Sequence, residues 1–305
     1  MSYFKKISAS LFASVAYAIL VTTGWKRKTV EANLNHVAQG SWNQEEKWTD
    51  HNHLYRKLLN NLTQHVGELL FCFDIYKNLP DDHKEYPYRI GNCNFELGAG
   101  TGEIIERMRK GGIFLTAHYG NYEASGAWLC ALGVPLKASF IPLKPAWLNK
   151  FVYEKIRCVR GRPYSINART PREFLEQLDG RAADCHGQKQ LFCLLADQDS
   201  RIPSAQDGTF LGQPAKINPL PDFLLKHRPD TPVFFCWIEE QGNRRILHAV
   251  EANFNKLDFR LHENNNSIVD RAYRSWLEER IRENPSLWYG WTHRRFRSKN
   301  PEIYH

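Results

Sequence analysis

A short apolar run, Ile113-Phe114-Leu115-Thr116-Ala117, is bounded by Gly112 and Gly120. A run this continuous reads as a strand covered on both faces, the kind found inside a parallel sheet. Comparable runs recur at 136–141, 191–196 and 232–238. Between and after them lie stretches with helical spacing, at 102–110, 122–132, 146–159, 171–178 and 267–282, the first stopped by Gly111-Gly112. Alternation of this kind predicts an α/β fold, a mainly parallel central sheet flanked by helices. No repeat or low-complexity linker divides it, so residues 26–305 read as a single domain behind an amino-terminal segment, 1–25.

That segment carries no charge between Ile7 and Trp25, with Lys5-Lys6 before it and Lys26-Arg27-Lys28 after it. A membrane span needs about 20 apolar residues, and this one is at the limit and diluted by Ser and Thr. Ala16-Tyr17-Ala18 offers a signal-peptide cleavage pattern. Basic residues at both ends give no crossing direction. This symmetry favours a membrane-associated helix lying in one leaflet over a span or a cleaved signal. Two further helices are expected before the sheet: 28–38, with Val30, Leu34 and Val37 in period, and 45–76, with Leu54, Leu58, Leu62, Val66, Leu69 and Phe73 about four apart. Leu79-Pro80-Asp81-Asp82 breaks the second.

The charge balance, 41 basic against 33 acidic residues, is +8. A basic surface attracts anionic lipid, nucleic acid or an acidic protein. Seven scattered cysteines, an odd number with no CxxC pair, fit a reducing compartment. Cys185-His186 with Cys193 lacks a fourth ligand, so no metal is expected. Gly98-Ala99-Gly100-Thr101-Gly102 follows a weak strand with no acidic residue placed for a ribose, so no dinucleotide cofactor is expected.

Chemistry concentrates at strand ends, where open α/β sheets place their sites. His118 directly follows the run 113–117, and Glu123 stands in the first turn of the next helix. A turn that brings them together supplies a base and its orienter, enough to activate a hydroxyl. Asp197 and Asp199, in Asp197-Gln198-Asp199, follow the run 191–196. Such carboxylates position a hydroxyl, pair with arginine, or cap a loop. Arg157, Arg160 and Arg162 form a basic cluster, and an arginine there can stabilise an oxyanion or bind phosphate. The last block runs Pro285-Ser286-Leu287-Trp288-Tyr289-Gly290-Trp291-Thr292-His293-Arg294-Arg295-Phe296-Arg297. Arginines beside aromatics suit a phosphorylated glycolipid at a membrane. They also suit single-stranded nucleic acid, although that reading leaves His118, Glu123 and the Asp-Gln-Asp block without a task. His293 is an alternative base, with Arg294 and Arg295 close enough in sequence to lower its proton affinity.

Taken in order, these blocks resemble the bacterial lipid A late acyltransferases, a family within the His-x4-Asp/Glu lysophospholipid acyltransferases. The resemblance rests on Lys26 to Leu34, His118 to Glu123, Asp197 to Asp199 with the turn Phe210-Leu211-Gly212, and the block 285–297. Tyr119-Gly120-Asn121-Tyr122 departs from the family's "Gly/Pro-Asn-Trp" interior, and 184–190 looks like a small insertion. The resemblance implies a glycerol-3-phosphate-acyltransferase-like fold at the cytoplasmic face of the inner membrane. The implied activity is acyl-carrier-protein-dependent O-acyl transfer to a lipid A precursor hydroxyl. His118 is then the general base oriented by Glu123. Arg160 (or Arg157), Asp197, Asp199, Arg294 and Arg295 are the expected substrate-binding residues. Acyl carrier protein, the glycolipid and the membrane surface are the expected partners, with no nucleic acid. Another membrane lysolipid or aminolipid is the alternative acceptor.

Overall fold

A computed structural model describes residues 3–40, 50–139, 145–166, 170–253 and 268–305. The chain opens with α1 (Tyr3–Thr22), α2 (Arg27–Ala38), α3 (His51–Phe71) and α4 (Asp74–Lys77). Strands β1 (Tyr88–Ile90) and β2 (Cys93–Leu97) precede α5 (Thr101–Met108), β3 (Gly112–Thr116), α6 (Tyr122–Ala131), β4 (Leu136–Ser139) and α7 (Ala146–Phe151). There follow β5 (Cys158–Val159), β6 (Arg162–Pro163), β7 (Ser165–Ile166), α8 (Pro171–Leu178) and β8 (Leu191–Leu195). The chain closes with β9 (Gln206–Phe210), β10 (Gln213–Ile217), α9 (Leu220–His227), β11 (Val233–Gln241), β12 (Arg244–Glu251) and α10 (Ile268–Glu283), then short 3₁₀ turns through the block 285–292.

Eight strands form one mixed sheet in the order β1-β2-β12-β11-β3-β8-β4-β7. It is mostly parallel: only β1/β2 and β11/β12 run antiparallel. The sheet is flanked by helices, as the alternation predicts, and period-2 geometry explains how. Ile113 and Leu115 join Phe192, Leu194, Val233 and Phe235 in a core that also takes residues of α2, α3, α9 and α10. Phe114, between them, faces the opposite core with Cys193, Phe234 and Trp128 of α6. Trp128 is fully buried, meets Phe95 edge-on with ring centroids 5.4 Å apart, and donates its indole N–H to the Tyr86 hydroxyl at 2.8 Å.

Two expected helices are corrected. The helix expected over 146–159 stops at Phe151, passes through a wider turn at Val152–Ile156 and becomes β5. The cause is the β5/β6 hairpin, whose two-residue turn places Arg160 and Gly161 at φ 50° and 75°, the left-handed conformation such a turn needs at both centres. The helix expected over 45–76 is interrupted at Cys72-Phe73 before α4. The short strands β1, β5, β6 and β7, the β9/β10 hairpin and β12 lack a long apolar run to announce them. The expected helix start at 45–49, the strand end at 140–141 and residue 267 lie outside the described residues.

Among the described residues one helix, Phe4–Thr22, is long and apolar enough to cross a membrane. It lies antiparallel along α3: the Tyr55 hydroxyl donates to the Trp25 carbonyl at 2.9 Å, and the Cys72 thiol to the Lys5 carbonyl at 3.6 Å. Between these bonds Gly67 lies against Ala9 and Ala13. The opposite face carries Phe4, Ile7, Leu11, Val15 and Ile19, each between 46 % and 77 % exposed, a lengthwise apolar stripe that the protein leaves uncovered. A Cβ on Gly67 would stand 2.7 Å from the Ala9 carbonyl oxygen, an overlap the backbone must absorb. Gly67→Leu is expected to lift α1 from α3 at a cost of ~1–3 kcal/mol. Faster cleavage of the 1–25 segment in limited proteolysis, with a lowered Tm, checks this; an unchanged digestion pattern counts against it.

Candidate active site

The parallel register builds the site. Thr116 of β3 is aligned with Leu195 of β8, so the residues two further on, His118 and Asp197, leave the carboxyl edge of the sheet side by side. The His118 backbone N–H donates to Asp197 Oδ2 at 3.1 Å, and the ring pairs through Nδ1 with Oδ1 at 2.9 Å. The Trp288 indole N–H donates to the same Oδ2 at 2.9 Å. The carboxylate is wholly buried, whereas the imidazole keeps 21 % of its surface. Nδ1 is committed to Asp197, so the free ring nitrogen of His118 is Nε2.

The C-terminal block is stitched onto this turn like an added strand. Tyr289 N–H donates to the His118 carbonyl at 2.7 Å, Gly120 N–H to that of Leu287 at 2.9 Å, and Tyr119 bridges to Trp288. Gly290 is required here, because a Cβ would collide with the Trp288 indole.

Electrostatics follow the geometry. Burial pushes the Asp197 carboxyl up, but the charge of His118, the hydrogen bonds from His118 and Trp288, and the backbone N–H together hold it down at about 2. Burial depresses the His118 imidazole, but the charge and hydrogen bond of Asp197 outweigh burial and raise it above its ordinary 6.5. A buried carboxylate paired to one ring nitrogen makes the imidazole more basic.

The orienter is therefore Asp197, and the expected role of Glu123 is corrected. Glu123, in the first turn of α6, turns to Arg157: Nη2 lies 2.5 Å from Oε1 and Nε 3.1 Å from Oε2, a bidentate ion pair with both side chains only 16 % exposed. The pair is near enough for both charges to act on His118. Arg157 stands at the foot of the β5/β6 hairpin, while Arg160 sits at its tip. Arg160 pairs with Asp81 at 3.0 Å and reaches the Leu79 carbonyl at 3.1 Å, so of these two arginines it is Arg157 that joins the site.

Asp199 ties down the C-terminus, accepting from the Ser298 hydroxyl at 2.7 Å and backbone N–H at 3.2 Å. Arg295 is 2 % exposed, lies over the Phe210 ring at 4.8 Å and donates to the Lys216 carbonyl at 3.2 Å; it is a core strut with no face for a substrate. Arg294 is exposed, over the Tyr304 ring at 5.8 Å. His293 is brought in: its ring centroid lies 5.9 Å from that of His118. Trp288 and Asn121 are the residues the sequence reading passed over. Asn121 donates to Glu68 Oε2 at 2.7 Å, tying the histidine turn to α3.

The chain matches no family model and no curated protein.

The sign of the Asp197 effect is directly measurable. His118 has a raised pKa in the folded protein, so the pairing contributes stability that is full below 6.5 and lost as pH rises through the folded value. Asp197→Asn removes the charge. An NMR titration of the ring protons is expected to place the His118 midpoint above 6.5 in the wild type and lower in the variant. Equal midpoints would contradict the arrangement.

Proposed function

We propose that the protein is an O-acyltransferase of the lipid A late acyltransferase type, with a glycerol-3-phosphate-acyltransferase-like fold. It works at the cytoplasmic face of the inner membrane and moves a fatty acyl chain from acyl carrier protein to a hydroxyl of a lipid A precursor. The observation that carries the reading is the buried His118–Asp197 couple at the carboxyl edge of the sheet, with the Glu123–Arg157 ion pair beside it. Among the described residues no serine, threonine or cysteine side chain is hydrogen-bonded to the His118 ring, which favours direct transfer over an acyl-enzyme.

In this mechanism His118 Nε2 accepts the proton of the acceptor hydroxyl as its oxygen attacks the thioester carbonyl. Asp197 fixes the Nδ1–H tautomer and stabilises the imidazolium. Glu123 holds Arg157, whose cation favours the negative charge developing on the carbonyl oxygen. Collapse expels the thiolate, which takes the proton back from His118, leaving an ester and a free thiol. No cofactor is required.

The membrane helix supports a lipid acceptor. Asn33 of α2, the helix that follows α1, donates to the His293 carbonyl at 2.8 Å, so the chain leaving the apolar helix leads to the edge of the site. The neighbouring α3 runs the length of α1 and carries Arg56, Lys57 and Gln64. Those side chains resist entry into hydrocarbon, so α1 lies along one leaflet with its exposed stripe inward.

The test is acyl transfer in detergent micelles, with mixed acyl carrier protein thioesters and a tetra-acyl lipid A precursor. The wild type is expected to add the mass of one acyl chain. His118→Ala is expected to fold normally and lose roughly 10²–10⁴-fold in rate. Full activity of folded His118→Ala refutes the mechanism. Transfer only to a lysophospholipid or aminolipid reassigns the acceptor.

A further inference from the structure

The ring of His293 is open while its backbone is clamped. Asn33, fully buried on α2, donates from its amide to the carbonyls of both Trp291 and His293 at 2.8 Å and accepts from the Tyr304 hydroxyl at 2.5 Å. The His293 N–H donates to the Gly290 carbonyl at 3.0 Å, and its own carbonyl also accepts from Arg295 N–H at 2.9 Å. A buried asparagine with every donor and acceptor used is an expensive way to fix a turn. The turn it fixes carries an exposed imidazole that makes no hydrogen bond among the described residues. This ring stands 5.9 Å from that of His118, tilted by 41°. No hydrogen bond joins the two rings, and they are close enough for one substrate group to contact both.

We propose that His293 is a second catalytic imidazole, a neutral donor whose ring N–H binds the substrate carbonyl oxygen between the two histidines. The inference rests on the acyl-transfer reading above. The bond-making step is unchanged: the acceptor oxygen bonds to the thioester carbon, its proton passes to His118 Nε2, and the carbonyl π pair moves onto oxygen. The N–H of His293 meets that oxygen as it becomes an anion, and stays on His293 throughout. When the carbon–sulfur bond breaks, its electron pair leaves with the thiolate, and the proton from His118 completes the thiol. Partial desolvation by the surrounding turn, with the charge of His118, lowers the proton affinity of His293, which favours the neutral ring while His118 carries the proton. Such a donor contributes most where the charge appears only in the transition state.

The test compares His293→Ala, His293→Phe and His293→Gln with the wild type and His118→Ala in the same micellar assay, with Tm as the control for folding. Phe keeps the ring shape without a donor; Gln keeps a neutral N–H. The Ala and Phe variants are expected to lose roughly 10²–10³-fold in kcat, the cost of one missing oxyanion donor, with KM little changed, and Gln is expected to recover a large part of the loss. If Ala does not fold, the Phe and Gln pair carries the comparison. Wild-type kcat in His293→Phe, or a Gln variant as slow as Phe, overturns the donor role while leaving His118 in place. A well-folded wild type that transfers no acyl chain to any offered lipid overturns the acyl-transfer reading, and this inference with it.

Discussion

The buried carboxylate of Asp197 is the point on which the site depends. An isolated ion in that position would cost several kcal/mol, and it is tolerated only because three donors converge on it: the backbone and ring of His118 and the indole of Trp288. These donors come from two separate parts of the chain. The end of β3 and the C-terminal block must both be in place before the charge on the end of β8 is satisfied, so assembly of the site and closure of the fold are one event. Trp288 and Trp291 are both wholly buried behind it. The aromatic density of this block thus has a structural purpose beyond any contact with lipid.

Much of the architecture was legible because a parallel sheet covered on both faces writes itself as continuous apolar runs. β3, β8 and β11 sit where such runs predict them, and α8 begins at a Thr170 capping box with Pro171 in its first turn. Hairpins read less easily. β9 and β10 are half-exposed, polar and joined by a turn at Leu211-Gly212, so their side chains carry no run to detect. At Arg160 the chain spends a left-handed conformation on a residue other than glycine or asparagine, against the usual preference.

The site was legible in its residues and not in its pairings. Sequence separation favours Glu123 as the partner of His118, since five residues and a turn suffice to join them. The sheet register joins residues 79 apart instead. Glu123 begins a helix and Arg157 ends at the foot of a hairpin, and the two meet because α6 and β5 pack together. The arginine choice failed for a related reason: hairpin geometry sends residues three apart, Arg157 and Arg160, to opposite ends of a short ribbon. Local spacing carries no record of either arrangement.

Asn33 shows how the two ends of the chain are made to agree. It lies on α2, the helix after the apolar one, and its amide grips the turn that bears His293. The Tyr304 hydroxyl closes on it from the last residues of the chain and also accepts from Phe296 N–H at 3.0 Å. α2 is therefore tied to the rim of the site through these hydrogen bonds, and α3 adds a second connection through Asn121 and Glu68. The turn bearing His118 and His293 is thus held from both sides by the helices packed beside the apolar α1. In the proposed acyl transfer, with one substrate in the bilayer and the other in water, a turn held this way would bring the acceptor hydroxyl and the thioester to the same imidazole.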